Sequence, residues 1–192
     1  MRRGHARRAP RRYAEDSYEA QLAARRERQR DRNRQMASRA HGPARTVLET
    51  AMRLIEQGRA VKGSCYDYID AVFKAAGHDD WRRRETIYRK PKKGPYVNLD
   101  RVEPGDWLWV VKSPRGARIK THSVLFVAWE DRSRGLAYVV DHPGQGRAVS
   151  GRYRTYDVSR TYNITRPTET RTGRTKTRRK KNRKRRTASL RR

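Results

Sequence analysis

The sequence predicts one α+β domain of about 120 residues between two strongly basic arms. Apolar residues recur at helical spacing in the first half of the middle segment, and short β-branched and aromatic runs separated by turn residues fill its second half. Helices that precede an antiparallel sheet are typical of the α+β class. We therefore divide the chain into an arm at 1–42, a domain at 43–165 and a tail at 166–192.

The arms are defined by their charge. Lys and Arg number 50 against 20 Asp and Glu, and the segments 1–45 and 166–192 together hold +22 of the formal net charge of +30. Because such an excess repels itself in a compact state, it is typical of proteins that bind a polyanion. Arginine suits phosphate oxygens and stacking on bases, so nucleic acid is the first partner expected.

The arm at 1–42 is expected to be partly helical or disordered, since good helix formers at 13–37 include few apolar residues. The tail at 166–192 is expected to be disordered. Candidate polyanion-binding residues occur in both: Arg25, Arg26, Arg28, Arg178, Arg179, Lys180, Lys181, Arg183, Lys184, Arg185 and Arg186.

Two helices are predicted to open the domain. The first begins near Pro43, which suits a first helical turn, and ends near Gly58. Its apolar residues share one face: Val47, Leu48, Ala51, Leu54 and Ile55. The second follows Ser64, a suitable N-cap, and ends before Gly77. Its apolar residues are Tyr66, Ile69, Val72, Phe73 and Ala76.

Strands are predicted after an irregular basic stretch at 78–98. Three apolar runs bounded by turn residues form an antiparallel meander at 107–111, 122–129 and 136–141. Short closing strands are expected at 152–158 and 162–164. The run Tyr153-Arg154-Thr155-Tyr156 interleaves aromatic rings with a cation, which suits either base stacking or half-buried packing.

Three features in order suggest thiol chemistry. Cys65 opens the second helix, where unpaired backbone N–H groups and the helix dipole stabilise a thiolate. His122 at the head of a central strand is the candidate base, and Asp141 or His142 is the candidate group that orients it. Pleating directs Asp141 and His142 to opposite faces, so only one can serve, and we favour Asp141.

The same residues resemble a known family. The run Gly63-Ser64-Cys65-Tyr66-Asp67-Tyr68-Ile69, the run Val102-Glu103-Pro104-Gly105-Asp106-Trp107-Leu108 and the run His122-Ser123-Val124-Leu125-Phe126-Val127 are similar to segments of the papain-like cell-wall hydrolases of the NlpC type and the related CHAP-type amidases. The resemblance covers residues 61–164. It implies a papain-like core in which Cys65 is the nucleophile, His122 the base and Asp141 the third residue.

Other classes of site find no support in the sequence. The five histidines and one cysteine lack metal-ligand spacing, and no Gly-rich phosphate loop is present, so neither metal nor cofactor is expected. No apolar stretch is long enough for a membrane span, and no signal peptide is visible. One cysteine excludes an intrachain disulfide. We expect a cytoplasmic or particle-associated protein.

Two functions remain open at this point. The first is a cysteine peptidase or amidase that cleaves a peptide or amide while its arms hold a polyanion. The second is a non-enzymatic protein with a degenerate papain-like core that binds or condenses nucleic acid, either by itself or as a component of a large assembly. The arms suit both, so the middle domain must distinguish them.

Overall fold

The structure is a computed structural model that describes residues 10–113, 119–144, 146 and 148–169, without the side chains of 10–17, 26, 81 and 113. Three helices precede most of the strands. The helices are α1 (Pro10–Ser38), α2 (Gly42–Glu56) and α3 (Cys65–Ala75). The strands are β1 (Val61–Lys62), β2 (Arg84–Arg89), β3 (Trp107–Ser113), β4 (Lys120–Asp131), β5 (Leu136–Asp141), β6 (Ala148–Val149), β7 (Arg152–Asp157) and β8 (Thr161–Pro167).

The main sheet is antiparallel and has the order β2-β8-β3-β4-β5-β7. Strands β3, β4 and β5 form the predicted meander, and β7, the first predicted closing strand, extends it by pairing with β5. β8 returns to pair with the other side of β3. The short strands β1 and β6 form a second, two-stranded sheet. The α+β class is thus confirmed.

Apolar side chains cover both faces of the main sheet. On one face, α2 and α3 pack against Trp107, Leu125 and Val140. On the other face, Leu108, Val124 and their neighbours form a second apolar cluster, which Val97 and Val102 join from the segment before β3. This alternation along β3 and β4 follows from the two-residue period of a strand.

The helices agree with the apolar spacing, with one exception. Val47, Leu48 and Ala51 of α2 are buried, as are Ile69, Val72 and Phe73 of α3. Tyr66 is instead 47 % exposed, although its spacing on α3 predicts a core position. It lies in the first turn of the helix, where its ring contacts the edge of the core at Trp107, 4.8 Å between centroids.

The stretch at 78–98, expected to be irregular, contains β2. Its residues Arg84–Arg89 are mostly charged or polar, so they give no strand signal on their own. β2 is an edge strand held by antiparallel pairing with β8, from Arg84↔Pro167 to Arg89↔Asn163. Backbone pairing with a partner distant in sequence, and not apolar alternation, defines this strand.

The arms are described only in part. α1 covers most of the arm at 1–42. The end of α1 packs on the domain through Asn33 and Ala37, and Ala40 does so just after the helix; all three are buried. Residues 1–9 and 170–192 lie outside the described residues. None of the helices in the described ranges combines the length and apolar character needed to cross a bilayer.

Candidate active site

Cys65 occupies the first turn of α3, and a capping box defines where that turn begins. The Ser64 hydroxyl accepts from the Asp67 N–H, while the Asp67 carboxylate accepts from the Ser64 N–H at 2.7 Å. The carboxylate lies so close to Gly63 that a Cβ there would be 2.5 Å from its Oδ2, and Gly63 has a φ of +142°. The turn that presents the thiol therefore requires glycine at this position.

The thiol lies where β4 extends past the end of β5. Pairing between these strands begins at Leu125↔Val140, so the N–H of Ser123 faces a place that β5 leaves empty. Cys65 fills it: the Ser123 N–H donates to Cys65 Sγ at 3.3 Å. The sulfur is half-buried, and the Tyr66 N–H also hydrogen-bonds to it.

His122 lies between the thiol and a buried carboxylate. Its Nε2 is 3.2 Å from Oδ2 of Asp141, and its ring also hydrogen-bonds to the Cys65 thiol. Because a carboxylate only accepts, Nε2 carries a hydrogen and the other nitrogen, Nδ1, remains to take the thiol proton. The side chain of His122 is 11 % exposed and that of Asp141 only 1 %, so this contact is shielded from water.

The surroundings shift the pKa values of all three groups. Burial by itself would raise the pKa of Cys65, but the hydrogen bond and charge of His122 and the Ser123 N–H outweigh it, so the pKa is lowered. Burial would lower the pKa of His122, but its hydrogen bonds to Asp141 and Cys65 raise it overall. Both shifts favour a thiolate–imidazolium pair.

Two arginines of β7 also contact Asp141, one at each carboxylate oxygen. Arg152 Nε donates to Oδ1 at 2.9 Å, and Arg154 Nε lies 2.7 Å from Oδ2, oriented as an ion pair without an aligned hydrogen bond. Burial by itself would raise the pKa of Asp141, but the His122 hydrogen bond and both arginines outweigh it, so the pKa is lowered. The carboxylate is therefore ionised at neutral pH.

His142, the alternative third residue, lies elsewhere. Its Nδ1 accepts from the Gly144 N–H at 3.0 Å, so its Nε2 must carry the hydrogen that reaches the Val149 carbonyl, 3.1 Å away. The ring is fully buried and stacks on Tyr68, with 5.2 Å between centroids. These bonds fasten the segment after β5 to β6, and the structure brings Asp141, not His142, to His122.

The Pro-Gly-Asp turn before β3 has a separate structural task. Gly105 has a φ of +88°, and a Cβ there would be 2.7 Å from that of Ala44 on α2. Asp106 is fully buried, and Arg166 donates to both of its carboxylate oxygens, at 2.8 and 2.9 Å. Burial raises the pKa of Asp106 although Arg166 and the Glu103 N–H oppose this. The turn joins α2, β3 and β8.

Several site groups were not identified from the sequence. Ser123 contacts the thiol through its backbone N–H, so its side chain gives no indication of this contact in the sequence. Arg152 and Arg154 alternate on β7 and so share a face, but their partner lies on another strand. Tyr156, on the same face, packs 5.3 Å from His122 between ring centroids, and Tyr153 stacks on Tyr138. The run 153–156 is therefore half-buried packing beside the site.

The polyanion-binding candidates are described only in α1. Arg25 and Arg28 are exposed there, whereas the Arg26 side chain and the basic runs at 178–181 and 183–186 lie outside the described residues.

A cleft of about 590 Å³ lies between α1 and α2 and is lined by Arg25, Met52 and Tyr153, among others. Cys65, His122 and Asp141 are not among its lining residues. Within the described ranges, no group of three or more acidic, His or Cys residues could hold a metal ion.

Comparisons with protein-family models, curated proteins and solved structures found no match to this chain. The chemistry of the site is accordingly derived from its own contacts. These contacts supply a half-buried thiol, an imidazole that can take its proton, and a carboxylate that orients the imidazole.

Proposed function

We propose that this protein is a papain-like thiol hydrolase, a peptidase or amidase, whose basic arms bind a polyanion. One observation carries the proposal: Cys65 at the start of α3, His122 on β4 and Asp141 on β5 form one continuous hydrogen-bonded series, although they are distant in sequence. Its order, helix-borne thiol, imidazole, then carboxylate, is that of an activated cysteine nucleophile.

The contacts support a two-step reaction. The Cys65 thiolate attacks the carbonyl carbon of the scissile amide, and the positive end of the α3 dipole favours the negative charge that develops on the carbonyl oxygen. The C–N bond then breaks as His122 gives its Nδ1 proton to the leaving amine, which leaves a thioester on Cys65. Water attacks this thioester, His122 takes the water's proton, and the proton returns to the departing sulfur.

The test exploits the fact that the full chain contains one cysteine, so that all alkylation by iodoacetamide reports on Cys65. We expect the pH dependence of the alkylation rate to give a thiol pKa below the ordinary value of about 8.5. In His122→Ala the pKa should return towards that value, because the imidazole that stabilises the thiolate is missing.

His41→Ala is the matched control. His41 is exposed at the start of α2 and its side chain makes no capping bond, so the thiol pKa should not change. Folding of each variant is checked by circular dichroism. A native thiol with an ordinary pKa that ignores His122→Ala would contradict the proposal. Hydrolysis of any substrate found later must vanish in Cys65→Ser.

Non-enzymatic binding of nucleic acid is the second candidate, and the surface of α1 favours it. Arg25 and Arg28 are exposed and have no ion-pair partner within the described residues, whereas Arg32 and Arg34 pair with Glu130 and Asp31. Unpaired arginines are available to phosphates, and each phosphate neutralised releases a condensed counterion. This candidate predicts binding that Cys65→Ser leaves intact.

Salt titration of duplex DNA binding tests it on the full chain. The slope of log K against log salt is negative, and each phosphate contact contributes about −0.9 to it. We therefore expect Arg25→Gln combined with Arg28→Gln to make this slope less negative by about 2. The control is Arg53→Gln with Arg59→Gln, which removes the same charge from exposed positions on and just after α2. Equal changes in both pairs would assign the effect to net charge and not to α1.

A further inference from the structure

The face of β7 that lies beside the thiol site carries two arginines. Arg152 is directly opposite Asp141 in the β5–β7 pairing, and Arg154 is two residues further along the same face. Their side chains are 53 % and 36 % exposed, against 1 % for Asp141. A molecule that approaches Asp141 from solvent on this side therefore meets guanidinium groups first.

The charges at this place do not cancel. Asp141 contributes one negative charge and the two arginines contribute two positive charges, while a Cys65 thiolate and a His122 imidazolium neutralise each other. One positive charge is left over around Asp141, next to the imidazole that contacts the thiol. The contacts with Asp141 use only Nε of each arginine, so the Nη groups keep their donors for another acceptor.

Neighbouring groups strengthen this charge and shape its surroundings. The Arg154 guanidinium lies over the ring of Tyr156, 4.6 Å from its centroid, and that ring in turn packs against His122. Lys120 is exposed two residues before His122 on β4. Arg152, Arg154 and Tyr156 thus form a basic strip along an edge strand, next to the His122 ring that hydrogen-bonds to Cys65.

We propose that Arg152 and Arg154 form an anion subsite that binds a carboxylate or phosphate group of the substrate next to its scissile amide. The inference rests on the proposed thiol hydrolase and specifies its substrate class as an acidic peptide or amide. A planar guanidinium pair suits the oxygens of either anion. Binding of a singly charged carboxylate there brings the net charge of the occupied site to zero, and a phosphate group more than neutralises it.

The test compares two small electrophiles of nearly the same shape, iodoacetate, which is anionic, and iodoacetamide, which is neutral. Both react only with the thiolate, so the ratio of their rates is independent of the thiol pKa and reports on the local positive charge. At 0.15 M salt, where screening acts within about 8 Å, we expect Arg152→Gln with Arg154→Gln to lower the iodoacetate-to-iodoacetamide ratio about three- to tenfold. Arg53→Gln with Arg59→Gln should leave it unchanged.

Arg152→Gln alone, at the more exposed position, should lower the ratio about two- to threefold and keeps the test decisive if the double variant does not fold. An unchanged ratio in folded variants overturns the subsite. Because the ratio can also be read at pH 9.5, where even an ordinary thiol is largely ionised, it remains measurable if the thiol pKa proves normal. The subsite and the proposed hydrolase can therefore fail separately.

Protection experiments identify the preferred anion. N-acetylglutamate and inorganic phosphate are each added during alkylation by iodoacetamide, and a slower rate shows occupation beside Cys65. Protection by N-acetylglutamate assigns the subsite to carboxylates, and protection by phosphate assigns it to phosphoryl groups. If neither ion protects the wild-type protein at concentrations up to 50 mM or so, no anion binds beside the thiol and the proposal is wrong.

Discussion

Two buried carboxylates on or just before the neighbouring strands of β4 form ion pairs with arginine, but the number and exposure of their partners differ. Asp106 is enclosed by Arg166, which contacts both of its oxygens, and by the Glu103 N–H. Asp141 contacts His122 and two arginines, of which Arg152 is half exposed. The pKa of Asp106 is raised by burial, whereas that of Asp141 is lowered because its cationic partners outweigh burial.

Arginine–carboxylate pairs therefore have two different roles in this domain. Every partner of Asp106 belongs to the framework of the fold, so the group joins β3 to β8 and has no charge to spare. Asp141 has more positive partners than it can neutralise, and one of them, His122, reaches the thiol. An excess of partners around a buried charge is typical of functional sites, since a structural pair needs only balance.

The largest expected effect on stability comes from breaking the pair between Asp106 and Arg166. Arg166→Met leaves Asp106, which is 0 % exposed, without its cation, and we expect the free energy of unfolding to fall by about 3–5 kcal/mol. Urea denaturation at pH 7 measures this. Arg45→Met is the control, because it removes an exposed helix pair with Glu49 and should cost about 0.5 kcal/mol. Similar losses in both variants would contradict the structural role of Asp106.

Asp141→Asn is expected to act chiefly on the thiol. Without the carboxylate charge, the imidazolium that stabilises the Cys65 thiolate is disfavoured, and alkylation by iodoacetamide at pH 6.5 should slow about tenfold, or ~1.4 kcal/mol. Asp100→Asn, at an exposed ion pair with Arg132, is the matched control and should not change the rate. A rate in Asp141→Asn equal to that of the wild type would remove Asp141 from the site.

The stability of the same variant should depend on pH. Because the folded-state pKa of Asp141 is lowered, its ionisation stabilises the fold above the unfolded pKa of about 3.9, and this contribution is lost as the pH falls through the folded value. Asp141 also raises the pKa of His122, so the titration of Asp141 itself is read below pH 5, where His122 stays protonated. There the stability difference between wild type and Asp141→Asn should shrink as the pH falls from 5 to 3. Urea denaturation at pH 5, 4 and 3 measures it; a difference that grows over this range would reverse the assigned direction.

Arg152→Gln should have the smallest effect on stability. Asp141 keeps Arg154 and His122 as partners, and the lost guanidinium is 53 % exposed, so we expect a cost below about 1 kcal/mol. Urea denaturation beside Arg166→Met gives the comparison directly. A loss as large as that of Arg166→Met would mean that the two carboxylates are held alike.

Local patterns in the sequence account for much of the fold. Capping by Ser64 and the apolar spacing of α2 and α3 predict helices that the structure confirms, and the turn residues around β3, β4 and β5 predict the meander. β2 was missed because its strand character comes from pairing with β8 and not from its own residues. Such pairing joins segments that no local pattern connects.

The site follows the same rule. Cys65, His122 and Asp141 were identified because each has a recognisable local position: the start of a helix, the head of a strand and the end of the next. The sequence places Arg154 only in an aromatic and basic run and Arg152 only at the start of a closing strand, since nothing local indicates that β7 pairs with β5. Electrostatic surroundings depend on which strands become neighbours, so they require the three-dimensional structure.

The bond between the Ser123 N–H and Cys65 Sγ spans 58 residues of sequence, and this separation bears on when the thiol becomes reactive. A contact of such long range forms only after the intervening chain has closed into the sheet, a step that is slow because loop closure must come first. A newly synthesised or unfolded chain therefore carries an ordinary cysteine. In the proposed hydrolase, completion of the fold itself lowers the pKa of the thiol, so the nucleophile is activated only in the finished domain.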